Sequence, residues 1–178
     1  MKSIIAEIHK NQLKSFCSLH DFLKHKPLST KRRGLYWLWT NSDFSELKNA
    51  HAKEETQEVP ISVLVLQREA LNNISRIEKD GFKIVYNGKG GYIKSPPAFG
   101  LRERINQEIN CNDYRTGTLN IKRRFNLENW AVSFFDFDDP ANASILNLLK
   151  TNNPYTEFAK DIEMLWRLEY GTPILCRH

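Results

Sequence analysis

The chain has 178 residues, of which 40% are hydrophobic and 26% are charged, and its formal net charge is +5. This length and composition are typical of one globular domain that buries a core without disulfide staples. No apolar run reaches the roughly 18–20 residues that span a membrane, and the excess of basic residues favours a polyanionic partner.

The first 32 residues are interpreted as an N-terminal helical extension. Apolar side chains recur near helical spacing, which predicts one or two helices over residues 2–25. The apolar run from Ile4 to Ala6 is too short for a secretory signal. A basic linker that contains a proline follows over residues 24–33.

The cysteines and histidines indicate a reducing setting. Cys17, Cys111 and Cys176 are isolated and form no CxxC pair, which argues against a disulfide framework and for a cytoplasmic location. The five histidines form neither an HExxH motif nor a Cys/His cluster, so a structural zinc site is not expected.

The first half of the chain predicts two strands and two helices. RGLYWLWT, residues 33–40, is rich in aromatic residues and is predicted to be a strand. A polar loop with a short helix is expected over residues 41–58. VPISVLVLQ, residues 59–67, predicts a buried strand, and residues 68–81 predict a helix that is closed by Gly81.

The second half begins with FKIVYNG, residues 82–88, which predicts a strand that ends at a glycine-rich turn. Residues 95–110 predict a turn and then a helix, whose buried stripe is formed by Leu101, Ile105 and Ile109. The remaining predicted elements are a polar and basic loop or hairpin, a strand and two helices, over residues 112–127, 128–139, 141–151 and 155–171.

These elements indicate an α+β fold with a small central, mostly antiparallel β-sheet that is flanked by helices. The glycine-rich segment GKGG does not have the spacing of a mononucleotide P-loop, GxxxxGK[ST], and the dinucleotide motif GxGxxG is absent from the chain. A nucleotide-binding function is therefore not indicated by the glycines.

Two of the predicted strands carry a tyrosine next to glycine, in Gly34-Leu35-Tyr36 and in Tyr86-Asn87-Gly88. This pair resembles the two strand motifs of the GIY-YIG nucleases. The resemblance implies a GIY-YIG nuclease-like domain over residues 33–178, with an inserted segment at about 41–82 between the two motif strands.

Three further residues occur in the order of that family. LRERI supplies Arg104 before an aliphatic residue, DIEMLWRLEYG supplies Glu163 in a late amphipathic helix, and Lys89 follows the glycine of the second motif. The resemblance implies a metal-dependent endonuclease that cleaves DNA, with Mg²⁺ or Mn²⁺ bound by Glu163. The catalytic residues that it implies are Tyr36, Tyr86, Lys89, Arg104 and Glu163.

The chain also departs from the family pattern. Asn87 stands where the second motif has isoleucine, and the two motif tyrosines are 50 positions apart, whereas the family has a short hairpin. Glu108 stands where a histidine or tyrosine is frequent one turn after the arginine. The family's frequent closing asparagine is missing after Pro173.

The chemistry of phosphodiester cleavage suits these residue types. A free phenol has a pKa near 10, and a cation such as Lys89 would lower the pKa of Tyr86 and favour phenolate. Arg104 offers a planar fork to a phosphate. Glu163 is a hard oxygen ligand for Mg²⁺. The glycines at 88, 90 and 91 would let the backbone approach a substrate closely.

Basic residues outside these motifs are expected to contact nucleic acid, and they are Lys94, Arg102, Lys122, Arg123 and Arg124. DNA is the expected partner, with RNA as an open alternative, and no membrane partner is expected. A homodimer would suit palindromic sites. The self-contained chain favours a restriction-type or genome-defence role over that of a repair subunit.

Each residue also has a structural interpretation. Asn87-Gly88 is a strong signal for an ordinary hairpin turn, and the tyrosines suit a half-buried sheet. Arg104 could pair with Glu108, and Glu163 with Arg167, as surface bridges at i,i+4 spacing. Asp161 or Glu169 could be mistaken for Glu163.

Two other functions fit the same sequence. One is a catalytically inactive module with a nuclease-like fold that binds nucleic acid, which Asn87 and the missing asparagine favour. The other is a protein-interaction domain that uses exposed aromatic side chains of Trp37, Trp39 and Phe44.

Overall fold

Five strands form one antiparallel sheet in the computed structural model, which describes residues 1–53, 55–91, 100–113, 115–151 and 154–177. The strands are β1 (Cys17–Ser18), β2 (Gly34–Thr40), β3 (Glu78–Lys79), β4 (Phe82–Gly90) and β5 (Trp130–Asp136). Their order across the sheet is β1-β5-β2-β4-β3, and every neighbouring pair is antiparallel.

Helices lie on both faces of the sheet, which confirms the predicted α+β class. They are α1 (Lys2–Gln12), α2 (Leu19–His25), α3 (Phe44–Lys48), α4 (Ile61–Arg68), α5 (Leu101–Ile109), α6 (Ile121–Arg124), α7 (Ala143–Leu146) and α8 (Pro154–Tyr170). Short 3-10 turns cover Leu13–Ser15, Leu127–Asn129, Pro140–Asn142 and Asn147–Leu149. Within the described ranges, no helix combines the length and the apolar character that crossing a membrane requires.

The central strand β2 is buried along its whole length because helices cover both of its faces. Tyr36 and Leu38 contribute to a core that also contains residues of α4 and α5. Trp37 and Trp39 point to the opposite face, where they join residues of α1 and α8 in a second core. This division follows from the alternation of side chains along a strand.

The N-terminal segment takes part in this architecture. Its strand β1 pairs with β5, so that Cys17 lies opposite Val132 at one edge of the sheet. Ile4, Ile5 and Ile8 of α1 are buried in the second core. The segment that was predicted as a helical extension therefore contributes both a strand and core residues.

The prediction of a strand over residues 59–67 is wrong, because this segment forms α4. Ile61, Leu64 and Val65 are buried, whereas Val63 and Leu66 are exposed. This spacing of three and four residues is that of an amphipathic helix. The run of aliphatic and β-branched residues suggested a strand, but the period of their burial is helical.

The predicted helix over residues 68–81 is also absent. The segment leads through turns into β3, and a tight turn at Asp80-Gly81 then connects β3 to β4. Asp80 and Gly81 have φ values of 52° and 82°, as the central residues of a type I′ hairpin require. Gly81 therefore closes a hairpin rather than a helix.

Strand β4 continues through the glycine-rich segment, so the predicted turn after Tyr86 does not form. Asn87 lies opposite Trp37, and Gly88 lies opposite Tyr36, in a pairing with β2 that continues to Gly90. A methyl group on Gly88 would lie 2.5 Å from Tyr36 Oη. The glycine is needed because the hydroxyl and ring of Tyr36 occupy the space that a side chain at residue 88 would fill.

Two other predictions need smaller corrections. Residues 121–124 form the short helix α6 within the segment that was predicted to be a loop or hairpin. The predicted helix over residues 141–151 is divided into the one-turn helix α7 and 3-10 turns on either side. The strand over Trp130–Asp136 and the long helix α8 agree with the sequence pattern.

Candidate functional site

A cavity of about 530 Å³ lies beside the second half of β4. Its walls come from β2, β4, α5, α8 and the segment near Cys176. Five of the residues that line it are those that the resemblance implied to be catalytic, Tyr36, Tyr86, Lys89, Arg104 and Glu163. The fold thus brings together residues that are separated by up to 127 positions in the chain.

The short length of β3 explains why the cavity forms at this edge. β3 pairs only with Phe82 and Lys83 of β4, so on the side away from β2 no strand of the described residues covers the later part of β4. The C-terminal segment lies there instead, and the backbone N–H of Leu175 donates to the carbonyl of Val85 at 2.8 Å. Side chains from α8 reach the same edge.

The two phenols lie side by side on the face of the sheet that packs against α4 and α5. Tyr36 is opposite Gly88, and Tyr86 is opposite Leu38, so the tyrosines are diagonal neighbours rather than direct partners. Their ring centroids are 6.2 Å apart. Tyr36 is fully buried, whereas Tyr86 is half-buried and is the phenol with more access to the cavity.

The environment opposes ionisation of both phenols. Burial raises the pKa of Tyr36 well above its ordinary value, and the charge of Glu108 raises it further. Burial, followed by the charge of Glu108, also raises the pKa of Tyr86. The expectation that Lys89 lowers the pKa of Tyr86 is therefore wrong, and both phenols keep their protons at neutral pH.

Helix α5 brings Arg104 to the cavity. Its first residue, Leu101, donates its backbone N–H to the carbonyl of Arg32 at 2.6 Å, and it lies so close to Gly90 that a side chain at residue 90 would clash with it. The Arg104 guanidinium donates from Nη1 to Gln107 Oε1 at 2.8 Å and from Nη2 to Glu108 Oε1 at 3.1 Å. It is therefore held on two sides.

Glu108 lies directly behind this wall and is fully buried. Its Oε1 also accepts a hydrogen bond from Tyr36 Oη at 2.9 Å, and its Oε2 accepts one from the backbone N–H of Leu119 at 2.9 Å. Burial raises the pKa of Glu108, while Arg104 and the hydrogen bonds of Leu119 oppose that shift.

The sequence contained a signal for this position. Glu108 follows Leu101 and Ile105 at helical spacing, on the buried stripe of α5. A carboxylate on an apolar stripe indicates either a buried network or a functional group.

Helix α8 packs on the opposite face of the sheet, against Trp37 and Trp39, and brings Glu163 to the cavity at the sheet edge. Ile162 and Trp166 are buried in the second core, and Glu163 lies at the edge between them. Arg167 donates from Nη2 to Glu163 Oε1 at 2.6 Å and from Nε to Asn87 Oδ1 at 2.9 Å. Burial raises the pKa of Glu163, while Arg167, Lys89 and Lys160 oppose that shift.

One carboxylate at this edge, Glu163, is a hard oxygen ligand of the type that the predicted Mg²⁺ site needs. Mg²⁺ commonly uses one or two carboxylates and completes its shell with water and substrate phosphate. Among the described residues that line the cavity, Glu163 is the one carboxylate, and nowhere in the described ranges, this cavity included, do three or more His, Cys, Asp or Glu side chains form a group that could hold a metal ion. Arg167 bridges Glu163 and Asn87, so a cation bound there would compete with its guanidinium.

The electrostatic character of the cavity is positive. Apart from Glu163, the charged side chains on its described walls are cationic, namely Lys89, Arg104, Lys160, Arg167 and Arg177. Three of them, Lys160, Arg167 and Arg177, were not part of the predicted site. Cys176, one of the three isolated cysteines, is buried in the same wall and donates from Sγ to Asn87 Oδ1 at 3.1 Å.

Of the five basic residues that were predicted to contact nucleic acid, the four that the structure describes do not line this cavity. Lys94 lies outside the described residues. Arg102 reaches the carbonyl of Leu28 at 3.4 Å, and Lys122 is exposed. Contact of Arg102 and Lys122 with nucleic acid therefore stays a prediction.

Arg123 and Arg124 instead form ion pairs with Glu58. The Arg124 side chain is only 3% exposed and also donates to the carbonyl of Val59 at 2.9 Å. We therefore remove Arg124 from the expected nucleic-acid contacts. Burial opposes ionisation of Glu58, but hydrogen bonds from the backbone of Lys53 and from Arg124 outweigh it and lower the pKa to about 2.

The structural interpretations of Arg104 and Glu163 as members of ion pairs are confirmed as far as the pairing itself. Both predicted i,i+4 pairs form, but the Arg104–Glu108 pair is not a surface bridge because the Glu108 side chain has no exposed area.

Trp37 and Trp39 are fully buried. The protein-interaction hypothesis, which needed their exposure, is therefore wrong in that respect.

Comparison with known proteins adds no assignment: neither the models of protein families nor the curated proteins contain a match to this chain.

Proposed function

We propose that the chain is a metal-dependent endonuclease that hydrolyses DNA phosphodiester bonds, of the GIY-YIG type. The observation that supports this most is the meeting of two phenols, an arginine fork, a lysine and one carboxylate around a single cationic cavity. These residues come from four elements that are distant in sequence, and a purely structural role does not require them to share one wall.

Each residue has a different role in the proposed hydrolysis of the phosphodiester bond. The cations on the wall, Lys89 and Arg104 foremost, attract and hold the phosphate. Arg104 then stabilises the charge that grows on the phosphate oxygens as the oxygen of a water molecule bonds to phosphorus and the bond to the leaving sugar oxygen breaks, with a proton of that water passing to the leaving sugar oxygen. Tyr86 faces the cavity with its proton in place and orients the water. Glu163 would hold Mg²⁺ or Mn²⁺, which would supply Lewis-acid stabilisation.

The test is nicking of supercoiled DNA with and without Mg²⁺. We expect Arg104→Ala to lower the rate by about 10²–10³-fold, the usual effect of losing a group that stabilises the transition state, and Glu163→Ala to abolish metal dependence. Glu169→Ala is the matched control, because Glu169 is an exposed residue on the same helix. Unchanged cleavage in both site variants, with their folding shown by circular dichroism, would refute this site.

A second candidate is a catalytically inactive module that binds nucleic acid through the same cavity. The contact of Arg167 with Glu163 favours it, because the carboxylate already has a cationic partner. It predicts a salt-sensitive electrophoretic shift of DNA or RNA with and without Mg²⁺ and no cleavage. Cleavage by the unaltered chain excludes it.

The proposed setting follows from the composition. Three free cysteines and a net charge of +5 suit a cytoplasmic enzyme whose partner is DNA, with RNA as the alternative. A restriction-type or genome-defence role is favoured, and a homodimer would match palindromic sites. Competition between DNA and RNA in the shift assay and light scattering of the purified chain test these two points.

A further inference from the structure

Glu108 has a hydrogen-bonding pattern that the proposed mechanism does not yet use. The Glu108 carboxyl group accepts hydrogen bonds from the Tyr36 hydroxyl, the Arg104 guanidinium and the Leu119 backbone, and it also interacts with the Tyr86 hydroxyl. An ionised carboxylate accepts hydrogen bonds and has none to donate, so this surrounding matches the charged form. Transferring a charged group from water into the protein interior costs free energy, and well-placed hydrogen-bond partners such as these compensate for the lost hydration.

The contact with Arg104 fixes the direction of its guanidinium. Gln107 accepts from Nη1 and Glu108 accepts from Nη2, so both terminal nitrogens are anchored to the next turn of α5. An arginine has five N–H donors, and the others remain for a ligand on the cavity side of the group. Because the anchoring carboxylate is itself held by Leu119 and Tyr36, the fork has little freedom to swing.

We propose that Glu108 is a positioning residue that holds the Arg104 guanidinium toward the phosphate in the transition state. This inference rests on the proposed nuclease function. Pre-oriented charge accelerates a reaction because no reorganisation is needed as the transition state forms. A solely structural Glu108 would affect the stability of the fold and would leave the turnover of the folded enzyme unchanged.

The experiment measures kcat and KM for DNA nicking in Glu108→Gln, which keeps the shape of the side chain and removes its charge. We expect kcat to fall about 10- to 100-fold and KM to stay within about 2-fold, because the lost interaction acts in the transition state. Glu103→Gln, with the same change of charge on the same helix, should leave both constants unchanged. DNA affinity without metal should not differ between the two variants.

A double-mutant cycle shows whether Glu108 acts through Arg104. Arg104→Lys keeps a positive charge but loses the fork. In that background, Glu108→Gln should lower kcat by less than about 2-fold, because residues that act as a unit are not additive. Full additivity, or an unchanged kcat in the folded Glu108→Gln variant, overturns the proposal.

A second variant keeps the test decisive if Glu108→Gln does not fold. Glu108→Asp retains the buried charge and shortens its reach to Arg104 by one methylene, so the same loss of kcat and the same non-additivity are expected. Wild-type activity is the separate indicator of the proposed function. If the unaltered chain does not cleave DNA, the nuclease assignment fails and the role of Glu108 fails with it; if it cleaves and both Glu108 variants cleave equally fast, only the role of Glu108 is lost.

Discussion

Two Glu–Arg pairs at i,i+4 spacing lie at the cavity, and they differ in what surrounds them. On α5, Arg104 precedes Glu108, whose side chain has no exposed area. On α8, Glu163 precedes Arg167, and the two side chains are 14% and 19% exposed. Glu108 accepts from the Tyr36 hydroxyl and the Leu119 backbone as well. Glu163 lines the cavity, and its guanidinium partner also binds Asn87. The same spacing therefore produces an internal anchor in one helix and an accessible ligand group in the other.

The largest effect is expected from removing the internal anchor. Glu108→Leu leaves the Arg104 charge, the Tyr36 hydroxyl and the Leu119 N–H without their shared acceptor, which should lower the free energy of unfolding by about 3–5 kcal/mol. Urea unfolding followed by tryptophan fluorescence measures it. A loss below about 1 kcal/mol would contradict the difference that we draw between the two pairs.

The next effect comes from displacing the partner of Glu108. Gly88→Ala places a methyl group against the Tyr36 hydroxyl and ring, and such overpacking typically costs about 1–3 kcal/mol. Tyr36→Phe removes the nearest atom, so the double variant should recover part of the stability. An equal loss in Gly88→Ala with and without Tyr36→Phe would show that the strain lies elsewhere.

The pH dependence of stability provides a contrast with a third paired carboxylate. The pKa of Glu58 in the folded protein is lowered to about 2, from an ordinary value of 4.5. The ionised Glu58 carboxylate therefore stabilises the folded state at pH values above 4.5, and this stabilisation is lost as the pH falls from about 4.5 toward 2. Burial raises the pKa of Glu108 and of Glu163, so their contributions have the opposite sign and decrease as the pH rises above 4.5.

We expect Glu58→Gln to flatten the acid-dependent loss by about 1–2 kcal/mol between pH 5 and pH 3. Urea unfolding at the two pH values, compared with Glu108→Gln and Glu163→Gln, measures the difference. The same slope in Glu58→Gln and in the unaltered chain would disprove the role of this carboxylate.

The smallest effect on stability is expected at the accessible pair. Glu163→Gln and Arg167→Gln should each lower the free energy of unfolding by about 1 kcal/mol, less than Glu108→Leu, because the two side chains keep 14% and 19% of their exposure and glutamine still offers a hydrogen-bonding group. Arg167→Gln should instead strengthen Mn²⁺ binding by about 3- to 10-fold, because it removes a competing cation. Mn²⁺ titration followed by electron paramagnetic resonance tests this, with Glu163→Gln as the variant that should not bind. Weaker binding in Arg167→Gln would mean that Arg167 supports the carboxylate rather than competing for it.

Several features of the site could be predicted from short sequence patterns. The strands around Tyr36 and Tyr86 and the helices that carry Arg104 and Glu163 depend on local propensity and periodicity, which adjacent residues specify. The strand predicted over residues 59–67 failed because aliphatic runs suit a strand or a buried helix equally until their burial is known. The turn predicted at Asn87-Gly88 failed because pairing with β2 outweighed the local turn preference.

The sequence alone determined the α+β class and the two tyrosine strands, because each depends on residue type and on spacing within one element. The roles proposed for the site residues rest on a resemblance to a nuclease family. Only the tertiary structure decided that Glu108 is an anchor and Glu163 is a cavity residue. Burial and hydrogen-bond partners come from elements that are distant in the chain, such as the segment at Leu119 and strand β2, and the spacing within a helix carries no information about them.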